Sequence, residues 1–180
     1  MIVGDAQTFA LESEILFPVD SVAQQAVGFF VVHISGNQFG VREEDATCLG
    51  CSANEVAERL LMRGSHVSEQ LFSLAAADIA DVYLANFYGE AGDSSSFEDA
   101  IRENNLIWCP DGDAAFDDGS HILQFDHEDY VRLIAFRNSD EGTADLVERT
   151  MFAAEYYSIL KMWLTEFRRD RDVALKNTRR

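Results

Sequence analysis

Residues 121–138 read HILQFDHEDYVRLIAFRN, and the fold turns on this stretch. Two runs, 121–126 and 129–138, carry strand-forming residues and are separated by only two positions. A connection that short joins antiparallel neighbours, because a parallel pair needs a crossover of roughly a dozen residues. A third run, DLVERTMF at 145–152, follows the polar segment 138–143. Residues 121–152 therefore predict an antiparallel meander.

On the C-terminal side the period changes. Tyr156, Leu160, Trp163, Leu164 and Phe167 recur at helical spacing and predict a long amphipathic helix over 153–175, with Trp163 in its buried stripe. Arg168, Arg169 and Arg171 complement the negative end of that helix. On the N-terminal side, TFALESEILF at 8–17 alternates, with Phe9, Leu11, Ile15 and Phe17 on one face and Glu12 and Glu14 on the other. This is a half-buried strand ending at Pro18. VGFFVVHI at 27–34 has almost no polar position and predicts a strand covered on both faces. A turn at Ser35-Gly36-Asn37 leads into a short returning strand near Phe39.

The middle of the chain reads as helical. Ser52-Ala53-Asn54-Glu55 matches a capping box and opens a helix over 53–63, with Gly64 as its stop. A second helix is expected from 69 to 88, with Leu71, Leu74, Ile79, Val82, Tyr83 and Phe87 buried. A loop over 89–96, a short helix over 97–103 and an Asp/Gly-rich loop over 105–120 complete the segment. The pattern is a single α+β domain over 1–180: antiparallel strands at the N-terminus, helices in the middle, a C-terminal meander and a long closing helix.

The chain of 180 residues carries 32 Asp and Glu against 14 Lys and Arg, a formal charge of −18. Such a surface repels nucleic acid and anionic membranes and suits a basic protein partner, although acidity also serves solubility alone. The charge is uneven. Between residues 90 and 129 twelve acids face one base, Arg102, for a local charge of −11, whereas the last twenty residues carry +4. Asp111, Asp113, Asp117, Asp118, Glu128 and Asp129 fall in predicted loops and turns and are the candidate partner-binding residues. A solvated acidic face is the competing reading.

No catalytic constellation emerges. Cys48-Leu49-Gly50-Cys51 is a CxxC motif without a second ligand pair, although a helix starting just after Cys51 would lower its thiol pKa. The run from Asp111 to Gly119 resembles a calcium loop only until its fifth and sixth positions, which are Ala115 and Phe116. No phosphate-binding loop, dinucleotide fingerprint or nucleophile elbow is present. No catalytic, cofactor or metal residue is therefore assigned. The N-terminus lacks the basic and apolar regions of a signal peptide, and no run reaches the roughly 18 apolar residues of a membrane helix. Three thiols suit a reducing compartment, so a cytoplasmic protein is expected.

Several segments resemble a known family. They are Met1-Ile2-Val3-Gly4-Asp5 followed by Phe9-Ala10-Leu11-Glu12, and Gly28-Phe29-Phe30 followed by Ile34-Ser35-Gly36-Asn37 and Gly40. Phe116-Asp117-Asp118-Gly119-Ser120, Leu123-Gln124-Phe125-Asp126, Val131-Arg132-Leu133-Ile134-Ala135-Phe136 and Tyr156-Tyr157-Ser158-Ile159-Leu160 ahead of Trp163 add to the likeness. Together they resemble immunity family forty-two of the bacterial polymorphic toxin systems, which includes partners of contact-dependent growth inhibition toxins. The resemblance implies a non-enzymatic inhibitor that binds the C-terminal domain of a cognate toxin, and it supplies no catalytic residues. An acidic adaptor or regulatory module without a toxin partner is the alternative from the residues alone.

The double change Cys48→Ser with Cys51→Ser is expected to leave partner binding intact. Metal analysis checks it: stoichiometric zinc in protein purified without added metal, lost in the variant, is the contrary result.

Overall fold

Strands and helices come in blocks here as the sequence periods do, and the computed structural model describes residues 1–89, 96–109 and 112–178. The N-terminal sheet contains β1 (Ile2–Asp5), β2 (Phe9–Pro18), β3 (Ala26–Ile34), β4 (Asn37–Phe39) and β5 (Thr47–Cys48). Its order is β1-β2-β3-β4, with β5 also paired to β3, and every pairing is antiparallel. The second sheet runs β6 (Ile107–Cys109), β7 (Ser120–His127), β8 (Tyr130–Ser139) and β9 (Gly142–Phe152), again antiparallel. Helices α1 (Gly50–Leu61), α2 (Glu69–Phe72), α3 (Ala76–Tyr88) and α4 (Ser96–Glu103) lie between the two strand groups, and α5 (Ala153–Thr178) closes the chain. The expected α+β arrangement is present, and its two strand groups form separate sheets.

The second sheet is the middle layer. Along β7 and β8 both faces are apolar, and successive side chains point to opposite sides. Ile122, Val131, Leu133 and Ala135 pack with Phe9, Leu11, Phe30 and Val32 of the N-terminal sheet and with α5. Leu123, Phe125, Ile134 and Phe136 pack on the other side with Leu71 of α2, Ile79 and Tyr83 of α3 and Ile101 of α4. Helix α5 lies against β1, β2, α1, β8 and β9. Its Trp163 is fully buried, edge-on to Phe30 (ring centroids 4.9 Å apart) and stacked on Phe167 (5.2 Å). The indole N–H donates to Ser13 Oγ at 3.1 Å. Arg171 donates to the carbonyls of Val19, Ser21 and Gln25, so it anchors the β2–β3 loop; α5 runs on to Thr178, and the base in its last turn is Lys176.

Four local expectations change. The capping box at 52–55 does not form, because α1 begins at Gly50, three residues ahead of the expected start. Gly50 packs so closely on the β2–β3 loop that a Cβ there would meet Ala23 O at 1.8 Å, which only glycine avoids. Ser52, now inside the first turn, turns its hydroxyl to Asp113 instead. The helix expected over 69–88 breaks at residues 73–75. The Arg132 guanidinium takes the carbonyls of Phe72 (2.6 Å) and Leu74 (3.0 Å), which a continuous helix would have used internally, and Leu74 is left partly exposed. In β2 the register slips between Ile15 and Phe17, so the bulge turns Phe17 outward, 49% exposed, away from the face that Phe9 and Leu11 share. Finally, the loop expected over 105–120 contains β6 and one 3-10 turn, Ala114–Phe116. Strands of two to four residues, such as β1, β5 and β6, are too short to show a period.

Among the described residues no helix is long and apolar enough to cross a membrane.

Trp163→Ala is expected to lower unfolding stability by about 3–5 kcal/mol, as large-to-small changes in a packed core do. Urea denaturation checks this; an unchanged midpoint accompanied by lost partner binding would move Trp163 from the core to the interface.

Candidate protein-binding surface

The six acidic candidates do not form one patch. Asp111 lies outside the described residues. Asp113 is only 8% exposed. It caps the 3-10 turn by accepting from Ala115 N (3.0 Å), and it accepts from Thr47 Oγ1 (2.7 Å) and Ser52 Oγ (2.5 Å). Its carboxylate thus ties β5 and α1 to the turn, and the expectation of an exposed loop aspartate is corrected there. A short acidic side chain in a tight turn bonds to nearby donors first.

Asp117 is exposed and Asp118 half-buried. Asp118 accepts from Ser120 N (3.1 Å), Gly40 N (3.3 Å) and the Nε and Nη2 of Arg137 (3.2 Å each). Arg137 also pairs with Asp145 (2.7 Å) and lies over the Phe39 ring. The acidic segment contains only Arg102 as a base, yet the β7–β8 register sets Ser120 opposite Arg137 and brings a guanidinium in from outside it. Part of the local charge is therefore neutralised internally.

Glu128 and Asp129 form the two-residue connection between paired His127 and Tyr130, and both are exposed. They sit at the opposite end of β7 from Asp117 and Asp118. Eight strand residues separate the two ends, about 25 Å at the usual rise. Beside Glu128 and Asp129 lies a cleft of 270 Å³ whose walls include Arg63, Tyr130, Phe152 and Tyr157. The aromatic pair Tyr130 and Phe152 escapes the sequence reading because both continue apolar strand patterns; only their position at the end of the β8–β9 ladder leaves them outside the core.

The most strongly shifted titratable groups serve packing. Burial pushes the Tyr156 and Tyr157 hydroxyls well up, and both donate into one buried network. Tyr156 donates to Gln124 Oε1 (2.6 Å), and Tyr157 to Asp126 (2.9 Å). Gln124 Nε2 donates to Asp126 Oδ1 (3.1 Å), and Gly64 N donates to Asp126 Oδ2 (2.8 Å). His121, packed against Tyr83, Tyr88 and Phe136, is pushed down to about 4 by burial, against a small opposing pull from Asp118. Arg59 is fully buried; it pairs with Glu55 (2.6 Å) and donates to Asn105 O and Ile107 O, which positions β6. At Glu12 burial works to raise the carboxyl, but hydrogen bonds with His33 and Arg42 outweigh it and hold the pKa below the usual range.

Cys48 is half-buried, Cys51 exposed and Cys109 buried. Burial raises the Cys51 thiol, with Asp113 and Cys48 adding to it, so the lowering expected at a helix start is not found. Among the described residues no three His, Cys, Asp or Glu side chains converge as metal ligands do.

Two antiparallel sheets with a long helix packed on both define an α+β fold that has a solved counterpart. The crystal structure of CdiI from Burkholderia dolosa AUO158 superposes with a TM-score of 0.60 at 16% identity, over 92% of this chain and 99% of that one. At that identity the likeness establishes the fold alone. No curated protein matches the chain. The model of one family, Immunity protein 42, matches residues 1–166, and the chain belongs to that family.

Asp113→Ala is expected to destabilise the fold by about 2 kcal/mol, since it removes a cap and strands two buried hydroxyls, whereas Asp117→Ala should stay within about 0.5 kcal/mol of the parent. Chemical denaturation of the two variants side by side checks the contrast; equal, small losses would return Asp113 to the exposed surface.

Proposed function

We propose that this immunity-family chain neutralises a cognate toxin by binding the toxin's C-terminal domain and covering its active surface. The observation that carries the reading is the family match across residues 1–166. The net charge of −18 adds the partner's chemistry: a cationic domain. A nuclease is the toxin type that fits best, because a domain that holds phosphates must present a basic surface, and an acidic inhibitor is steered to that surface by long-range attraction. Asp117, Asp118, Glu128 and Asp129 are the candidate contacts among the acids the sequence singles out. Asp113 acts through the fold, and Asp111 completes the proposed set by position in the chain. Action in the cytoplasm, where an incoming toxin would meet its target, is part of the same proposal.

Co-purification with the product of the neighbouring toxin gene tests the pairing. Association with that toxin domain is expected to slow about tenfold or more as salt rises from 50 to 500 mM, as electrostatic steering is screened. Failure of the purified chain to bind the toxin domain or block its activity overturns the proposal; tight binding that ignores salt would leave inhibition standing and remove the electrostatic account.

A further inference from the structure

The end of the second sheet where β7 turns into β8, and β9 into α5, combines features found at protein-binding hot spots. Tyr130 and Phe152 are direct cross-strand partners, with ring centroids 5.0 Å apart and planes 27° from parallel. They are 40% and 58% exposed, although the next ladder pair, Val131 and Met151 on the opposite face, is buried. Their backbone is held on both sides: the β8–β9 ladder ends at this pair, and Ala153 N donates to Asp129 O at 2.8 Å as α5 begins. Two stiff aromatic rings on a fixed frame lose little freedom when a partner covers them.

The cleft beside the rings is small and acidic. Its 270 Å³ lies below the roughly 300–1,000 Å³ of small-molecule pockets, so it suits one long side chain better than a free ligand. Asp126, Glu128 and Asp129 line it against a single guanidinium, Arg63, which lies over the Tyr157 ring at 5.0 Å. Asp126 is fixed beneath, held by Tyr157 and Gly64 N. Among the described residues no ion pair takes Glu128 or Asp129. The other acidic end differs, since Arg137 already bridges Asp118 and Asp145 there.

We infer that this end of the sheet is the docking point for a cationic protein, which covers the Tyr130–Phe152 stack and sets an Arg or Lys side chain against the Glu128 and Asp129 carboxylates of the adjoining turn. The inference rests on the proposed toxin-binding role and locates it. A partner seated there gains charge-assisted hydrogen bonds at the turn and rigid aromatic area beside it, and excluding water strengthens the former.

Binding of the full chain to an inactivated cognate toxin domain, followed by biolayer interferometry, tests this. Phe152→Ala and Tyr130→Ala are expected to speed dissociation by about tenfold or more, as hot-spot truncations do. Glu128→Lys with Asp129→Lys, which disturbs no packing, should slow association by a similar factor, while Asp140→Lys with Glu141→Lys at the far turn should change little. Hydrogen exchange on the unmodified complex supplies a readout independent of variant folding: protection is expected at 127–131 and 150–157. Full affinity in the turn and aromatic variants, or protection only elsewhere, overturns the docking site and leaves toxin inhibition intact. A dimer of this chain closed through Phe152 also overturns it. A wild-type chain that does not bind the toxin domain overturns both.

Discussion

Burial of the β7–β8 pair on both faces is the constraint from which the rest of the architecture follows. A sheet with one apolar face needs one cover; this one needs two, and the chain supplies them from both directions. The N-terminal sheet, α1 and α5 close one side around Trp163 and Phe30, and α2, α3 and α4 close the other around Tyr83 and Phe136. Because side chains alternate strictly along a strand, a slip of one residue in the eight-residue β7–β8 register would exchange the two sets of partners. The register is therefore held by both cores at once.

Buried polar groups decide how the loops attach to these layers. Arg132 reaches from β8 to the carbonyls of Phe72 and Leu74 and fixes where α2 ends and α3 begins. Arg59 carries α1 onto the backbone of 105–107, and Asp113 joins β5, α1 and the 3-10 turn. Desolvating a charge is costly, so each of these groups is accompanied by several hydrogen bonds. A loop seated elsewhere would leave a buried ion without partners.

The same bookkeeping shapes the surface that a partner meets. Acidity is abundant, but the structure sorts it into carboxylates committed to the fold and carboxylates facing outward. Asp113 and Asp126 belong to the first group, and Asp118 is shared with Arg137. Glu128 and Asp129 belong to the second, and they stand next to exposed aromatic rings. Charge sets how fast such a face is found by a cationic partner, while rigid aromatic area sets how long the partner stays.

Much of the architecture was legible in the residues. The two-position gap at 127–128, the alternation in 8–17 and the helical spacing from Tyr156 to Phe167 are local periods, and local backbone geometry imposes them. The family likeness was carried by short segments such as Leu123-Gln124-Phe125-Asp126, which alternate between the two cores. What the residues could not show is every feature set by a partner distant in sequence. The break at 73–75 depends on Arg132, about sixty positions away, and the outward turn of Phe17 on a bulge against β3. Asp113 and Asp117 look alike in an Asp-rich loop, yet one meets Thr47 and Ser52 and the other meets water. Composition by itself determined that the chain is acidic and its periods that it is α+β; only the tertiary structure decided which carboxylates are free, because a carboxylate's freedom depends on the donors that folding brings to it.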